Sequence, residues 1–189
     1  MESALSLYRT SPVLLNTLGS IAIDSGDYSG SLKYLDQAIS FDPGYAQSWY
    51  NRGIAETKLE NYSGAVRDFS TAIRLNQAYP DAFFGRGNTH RITGNDEEAM
   101  KDYSLVIFLE PGYFGAWQNR AIVKGDLKDF RGALQDLNQA IRIDPSFGAS
   151  WFLRGIARFE LGENGCEDLR KAISCKYGPA IKALEFYCK

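Results

Sequence analysis

The chain has 189 residues, enough for a sizeable core, and at 44% hydrophobic and 23% charged it has the composition of a folded protein. Its 21 basic and 23 acidic residues are interspersed, for a formal charge of −2. They lack the clustered cationic excess that replaces phosphate counterions, which argues against a nucleic-acid partner. No apolar run reaches the roughly 18–20 residues that cross a bilayer, so membrane insertion is not expected.

Residues 1–11 read as the tail of a second helix whose first helix is absent, because Ala4 falls in phase with Ala38 and Ala72 further on. This edge is where the chain would self-associate or continue into a larger protein. The first residues lack the basic region and apolar stretch of a signal peptide, which predicts a cytoplasmic location if Met1 is the natural start.

From residue 12 onward the sequence repeats. Trp49, Phe83, Trp117 and Trp151 follow at intervals of 34 residues, with Leu15 in phase before them. The same phase carries Arg52-Gly53, Arg86-Gly87, Arg120-Ala121 and Arg154-Gly155. It also carries Ser31, Ala65, Ala99 and Ala133, then Leu35, Phe69, Tyr103 and Leu137, then Ala38, Ala72, Val106 and Ala140. Pro43, Gln77, Pro111 and Pro145 close the series. Within one copy the apolar and small residues recur at three and four, the spacing of an amphipathic helix. Turn formers such as Ser25-Gly26-Asp27 and Glu60-Asn61 interrupt the pattern once per copy. Each unit is therefore a helical hairpin, and hairpins that cannot bury their apolar faces alone must stack. The units are 12–45, 46–79, 80–113, 114–147 and 148–177; the fifth is two residues short between Gly162 and Ala172. Gly178-Pro179 begins a further helix, and residues 178–189 read as a cap over the last apolar face.

Trp49-x-x-Arg52-Gly53 followed by Ala65-x-x-x-Phe69, with Pro43 and Pro111 closing their units, resembles the tetratricopeptide repeat. The resemblance covers roughly residues 12–175, and the C-terminal stretch from Cys166 to Cys188 is similar to the ends of some bacterial members. It implies an all-α fold, a right-handed α–α superhelix or solenoid of about five hairpins plus a C-terminal capping helix. It also implies a non-enzymatic interaction scaffold that binds a peptide or partner helix in a concave groove. The alternative is a structural spacer or oligomerisation segment of a larger protein.

The family's groove positions lie on the first helix of each unit. Here they give Asn16, Tyr50, Asn51, Lys58, Phe84, Asn88, Arg91, Gln118, Asn119 and Phe152 as expected peptide contacts. Amides both donate to and accept from a peptide backbone. The carboxylate clamp of heat-shock co-chaperones in this family needs two lysines, two asparagines and an arginine. In units one to three those positions read Asn16, Ser20, Asn51, Asp81 and Gly85, so a clamp of that kind is not expected. Tyr45, Tyr79, Tyr113 and Phe147 end four units and read as wedges between hairpins.

A second pattern lies beneath the repeat. Arg52, Arg86, Arg120 and Arg154 are matched by Asp68, Asp102, Asp136 and, after the shortening, Asp168. Unit one carries Leu18 and Tyr34 instead, so the two positions change together. An ion pair between the two helices of each hairpin is the expected reading.

Nothing in the chain suggests catalysis or a cofactor. There is one histidine, His90, at a position filled elsewhere by Ala22, Glu56, Lys124 and Arg158, which reads as a solvated, tolerant site. Metal-ligand and phosphate-loop spacings are absent, so neither metal nor cofactor is expected. Cys166 and Cys175 fall in one helix about 13 Å apart, too far to bridge, so free buried thiols in a reducing compartment are expected.

Overall fold

The structure, a computed structural model, describes residues 11–189. The helix remnant expected at 1–11 lies outside the described residues, apart from Ser11. Among the described residues there are eleven helices and no strand. They are α1 (Pro12–Asp24), α2 (Tyr28–Phe41), α3 (Ala46–Lys58), α4 (Tyr62–Leu75), α5 (Pro80–Ile92), α6 (Asp96–Leu109), α7 (Phe114–Asp126), α8 (Phe130–Ile143), α9 (Gly148–Glu160), α10 (Cys166–Ser174) and α11 (Pro179–Tyr187).

Local chemistry sets these boundaries. Pro12 and Pro80 sit in first turns, where a missing N–H leaves nothing unsatisfied. Asp27, Asn61 and Asp129 cap α2, α4 and α8, accepting from the N–H of Gly30, Gly64 and Gly132 at 2.8, 3.3 and 2.9 Å. Between first and second helices the chain passes through the left-handed region at Gly26, Glu60, Gly94, Lys128 and Gly162, with φ from 62° to 83°.

The chain divides into two compact units, one ending at Asp102 and the other Tyr103–Lys189. In the first, α1 packs on α2, α3 on α2 and α4, and α5 on α4. In the second, α7 packs on α8, α9 on α8 and α10, and α11 on α10. First helices also touch one another directly, α1 with α3, α3 with α5, and α7 with α9. That contact brings the first helices together on one side of each unit and leaves the second helices on the other.

The core follows the repeat. Leu35, Phe69, Tyr103, Leu137 and Leu169 occupy equivalent places on successive second helices and are 0–1% exposed. Opposite Phe69 stands Gly53, where an added Cβ would come within 2.9 Å of the ring, so the large side chain requires the small one. The shortened fifth hairpin closes differently. A Cβ on Gly165 would collide with the Gly155 carbonyl, so glycine on both sides lets the start of α10 meet α9 backbone to backbone. Beyond it, Leu169, Ala172 and Ala180 join α10 to α11, with Trp151, Tyr177 and Leu184 packed around them.

One expectation is overturned here. Cys166 is bonded to Cys188, 22 residues on, while Cys175 is free. Helical rise does separate Cys166 from Cys175, but α11 folds back on α10 and returns the chain end to Cys166, with the two Cα atoms 5.9 Å apart. Disulfides persist in oxidising compartments, so free thiols in a reducing compartment do not describe this pair.

Candidate protein-interaction surface

Each arginine of the series sits between three helices. Arg52 donates through Nε and Nη2 to both oxygens of Asp68, each at 2.8 Å. Arg86 does the same to Asp102 (2.9 and 2.7 Å), Arg120 to Asp136 (both 2.8 Å) and Arg154 to Asp168 (3.1 and 2.6 Å). The aspartates are buried and the arginines largely so. The third nitrogen, Nη1, reaches the preceding hairpin and donates to Asp36, Ser70, Ser104 and Asn138 in turn, at 2.7–3.0 Å. Above each guanidinium lies the leading aromatic: Trp49, Phe83, Trp117 or Trp151, with 4.6–5.6 Å between cation and ring centre. The hydrogen bond to Asp68 raises the pKa of Arg52, against the desolvation that lowers it, and Asp36 raises it further.

The indoles have their own partners. Trp49, Trp117 and Trp151 donate to the carbonyls of Pro43, Pro111 and Pro145 at 2.8–2.9 Å. The position of His90 is not freely solvated. His90 is half-buried, and the equivalent Lys124 and Arg158 place a second cation on Asp136 and Asp168, at 2.8 and 3.3 Å. The short reach from the first helix to the buried carboxylate draws these side chains inward.

In each unit the side formed by the first helices faces solvent. Lys58 is exposed there, and Tyr50, Phe84, Asn88, Arg91, Gln118, Asn119 and Phe152 are half-buried. Two expected groove residues are not available in this way. Asn16 and Asn51 are only 7% and 6% exposed, and the Asn51 amide donates to Asn16 Oδ1 at 2.9 Å. The first helices α1 and α3 approach closely enough to take up both amides between them. Tyr50 packs against Tyr79 and Phe69, with ring centres 5.1 and 6.0 Å apart. Burial, and then the charge of Asp81, push its phenol up to about 12. Tyr79 in turn donates to Gln47 Oε1 at 2.6 Å. In the second unit Phe152 packs against Tyr177, and Phe114 against Phe147. No helix among the described residues is long and apolar enough to cross a membrane.

Stacked hairpins with this core and an open first-helix face define an α-solenoid of the superhelical class. Sequence matching reaches the same place by another route: the tetratricopeptide repeat signature matches residues 16–65 and 55–113, and a second tetratricopeptide signature matches 114–147. The chain belongs to the tetratricopeptide repeat family. Among solved structures it is similar to MamA 41-end from Desulfovibrio magneticus RS-1, at 16% identity over 87% of this chain and 94% of that one, with a TM-score of 0.80. It is similar also to YrrB, described as a TPR protein with an unusual peptide-binding site, at 18% identity over 97% of both chains and a TM-score of 0.80. The first TPR of Spaghetti (RPAP3), bound to the HSP90 peptide SRMEEVD, matches at 27% identity over 62% of this chain and 94% of that one, with a TM-score of 0.61. No curated protein matches the chain.

Proposed function

We propose that this chain is a non-enzymatic scaffold that holds an extended peptide or a partner helix along the face of its first helices. The observation that carries this reading is the division of labour within the hairpins. The buried arginine–aspartate groups and indoles are turned inward to hold helices together. The remaining first-helix side chains at Tyr50, Lys58, Phe84, Asn88, Arg91, Gln118, Asn119 and Phe152 mix amides, charge and aromatic rings, a composition suited to polypeptide. Two similar structures support it: YrrB is described as having a peptide-binding site, and the first TPR of Spaghetti (RPAP3) is bound to an HSP90 peptide. We read the units as 12–45, 46–79, 80–113, 114–147 and 148–177, capped by 178–189. The Cys166–Cys188 bond supports an oxidising compartment over the cytoplasm.

A peptide array probed with the isolated chain tests the reading. Peptides should be retained, and Gln118→Arg on the first-helix face should weaken retention while Arg142→Glu on the outer side of α8 leaves it unchanged. An array without retained peptides, or equal losses from the two substitutions, would contradict it.

A further inference from the structure

The second unit contains a cleft of about 410 Å³ between α7, α8 and α9. Its walls are apolar, made chiefly by Ala121, Ile122, Phe130, Leu137, Leu153 and Ile156, and it reaches the first-helix side at Gly125. The repeat explains the opening. The twelfth position of the five units reads Ile23, Thr57, Arg91, Gly125 and Phe159, so a side chain that the other units supply is missing here alone. A Cβ built on Gly125 meets nothing within 4 Å. Leu153 falls where Asn51, Gly85 and Asn119 stand in the earlier copies, so the wall is apolar where their face is polar or bare.

The rim is charged. Asp126 and Glu160 are exposed on the ends of α7 and α9, and Lys128, in the turn after α7, lines the same cleft. Other cations close by, Lys124 and Arg158, are drawn away to Asp136 and Asp168. Two carboxylates against one ammonium leave the mouth net acidic.

We infer that this cleft is a specificity pocket for one large apolar side chain of a bound peptide, leucine or phenylalanine, carried next to a lysine or arginine. The inference rests on the peptide-holding role proposed above and names the chemistry of the peptide. The volume is at the lower end of the range for ligand sites, which suits a side chain with its flanking backbone. The apolar walls supply the affinity, and the rim carboxylates select the basic neighbour.

The test is fluorescence anisotropy with labelled nine-residue peptides: a central leucine flanked by lysines, the same peptide with central alanine, and the leucine peptide with glutamates for lysines. The wild-type chain should bind the first about thirtyfold more tightly than the second and disfavour the third. Gly125→Leu adds a helix-favouring residue whose Cβ meets nothing within 4 Å; with the fold checked by circular dichroism, the leucine preference should vanish. Glu160→Lys should shift preference towards the glutamate peptide. Equal binding of leucine and alanine peptides, or a folded Gly125→Leu chain that keeps the preference, would overturn the pocket. If binding persists without that preference but falls in Gln118→Arg, the groove reading stands and the pocket does not. If no peptide in the panel or on the array binds, both fall.

Discussion

Arg52 Nη1 donates to Asp36 Oδ1 at 2.8 Å, sixteen residues back and one hairpin earlier, while the rest of the same guanidinium holds Asp68 sixteen residues ahead. The two aspartates are unequal. The Asp36 side chain is 61% exposed, whereas Asp68 is buried. An exposed carboxylate gains little from a cation it shares with water. Asp36→Ser, which copies Ser70 and Ser104 of the following hairpins, should lower stability by less than about 1 kcal/mol in urea melts.

Removing the cation is a different matter. Arg52→Leu leaves the Asp68 carboxylate buried without the group that holds both its oxygens, and a loss of about 3 kcal/mol is expected. Arg120→Leu should cost about half as much, because Lys124 remains 2.8 Å from Asp136. Adding Asp68→Tyr to Arg52→Leu reproduces Leu18 and Tyr34 of the first hairpin and should recover much of the loss. Equal costs for the two arginines, or additive losses in the double variant, would refute the account of the clamp.

Ser48 and Ser150 are fully buried, and their hydroxyls have no hydrogen-bond partner among the described residues. The equivalent residues of the intervening units are Ala82 and Ala116. A buried hydroxyl without a partner retains its desolvation cost. Ser48→Ala and Ser150→Ala should therefore each stabilise the chain by about 1 kcal/mol, read as a rise in melting temperature.

Tyr50 is pushed up to about 12 by burial and by the Asp81 charge. Its folded-state pKa lies above the unfolded value, so the neutral phenol contributes stability that is fully present below about pH 10. That contribution is lost as pH rises through 10 towards 12. Burial raises the Tyr79 phenol as well, so phenolate absorbance should show two late-titrating tyrosines, of which Tyr50→Phe removes one, and the variant should lose less stability than the parent between pH 10 and 12.

The disulfide makes a chemical prediction. Alkylation of the native, unreduced chain should modify Cys175 only, and reduction should expose two further thiols. Closing a loop of this span contributes about 3 kcal/mol through the unfolded chain, so reduction should lower the melting temperature of the C-terminal hairpin and cap. Uptake of three adducts before reduction would remove the bond from the account.

Much of the fold was readable because the period of 34 fixes size class at several positions per hairpin, and a stack needs little else. The pairing of Arg52 with Asp68 shows in the sequence because Leu18 and Tyr34 replace both members at once. The backward contacts of the four arginines do not, since the partners of Arg52, Arg86, Arg120 and Arg154 are Asp36, Ser70, Ser104 and Asn138 in turn, which share no charge. The indole–carbonyl bond is encoded in the spacing: tryptophan stands six residues after Pro43, Pro111 and Pro145, and phenylalanine where Gln77 replaces the proline. The burial of Asn16 and Asn51 does not show in the sequence, because a helical face is legible one hairpin at a time, whereas the two amides meet where α1 packs against α3. The Cys166–Cys188 bond depends on the direction in which α11 returns, which no local pattern encodes.

Amide chemical-shift mapping during titration with the leucine–lysine peptide tests the central claim most directly. Perturbations should concentrate on first helices, with Ile122, Gly125, Leu153 and Ile156 among the largest, and leave the outer surfaces of α8 and α10 quiet. Perturbations centred on those outer surfaces, or none at saturating peptide, would contradict a ligand held by the first-helix face.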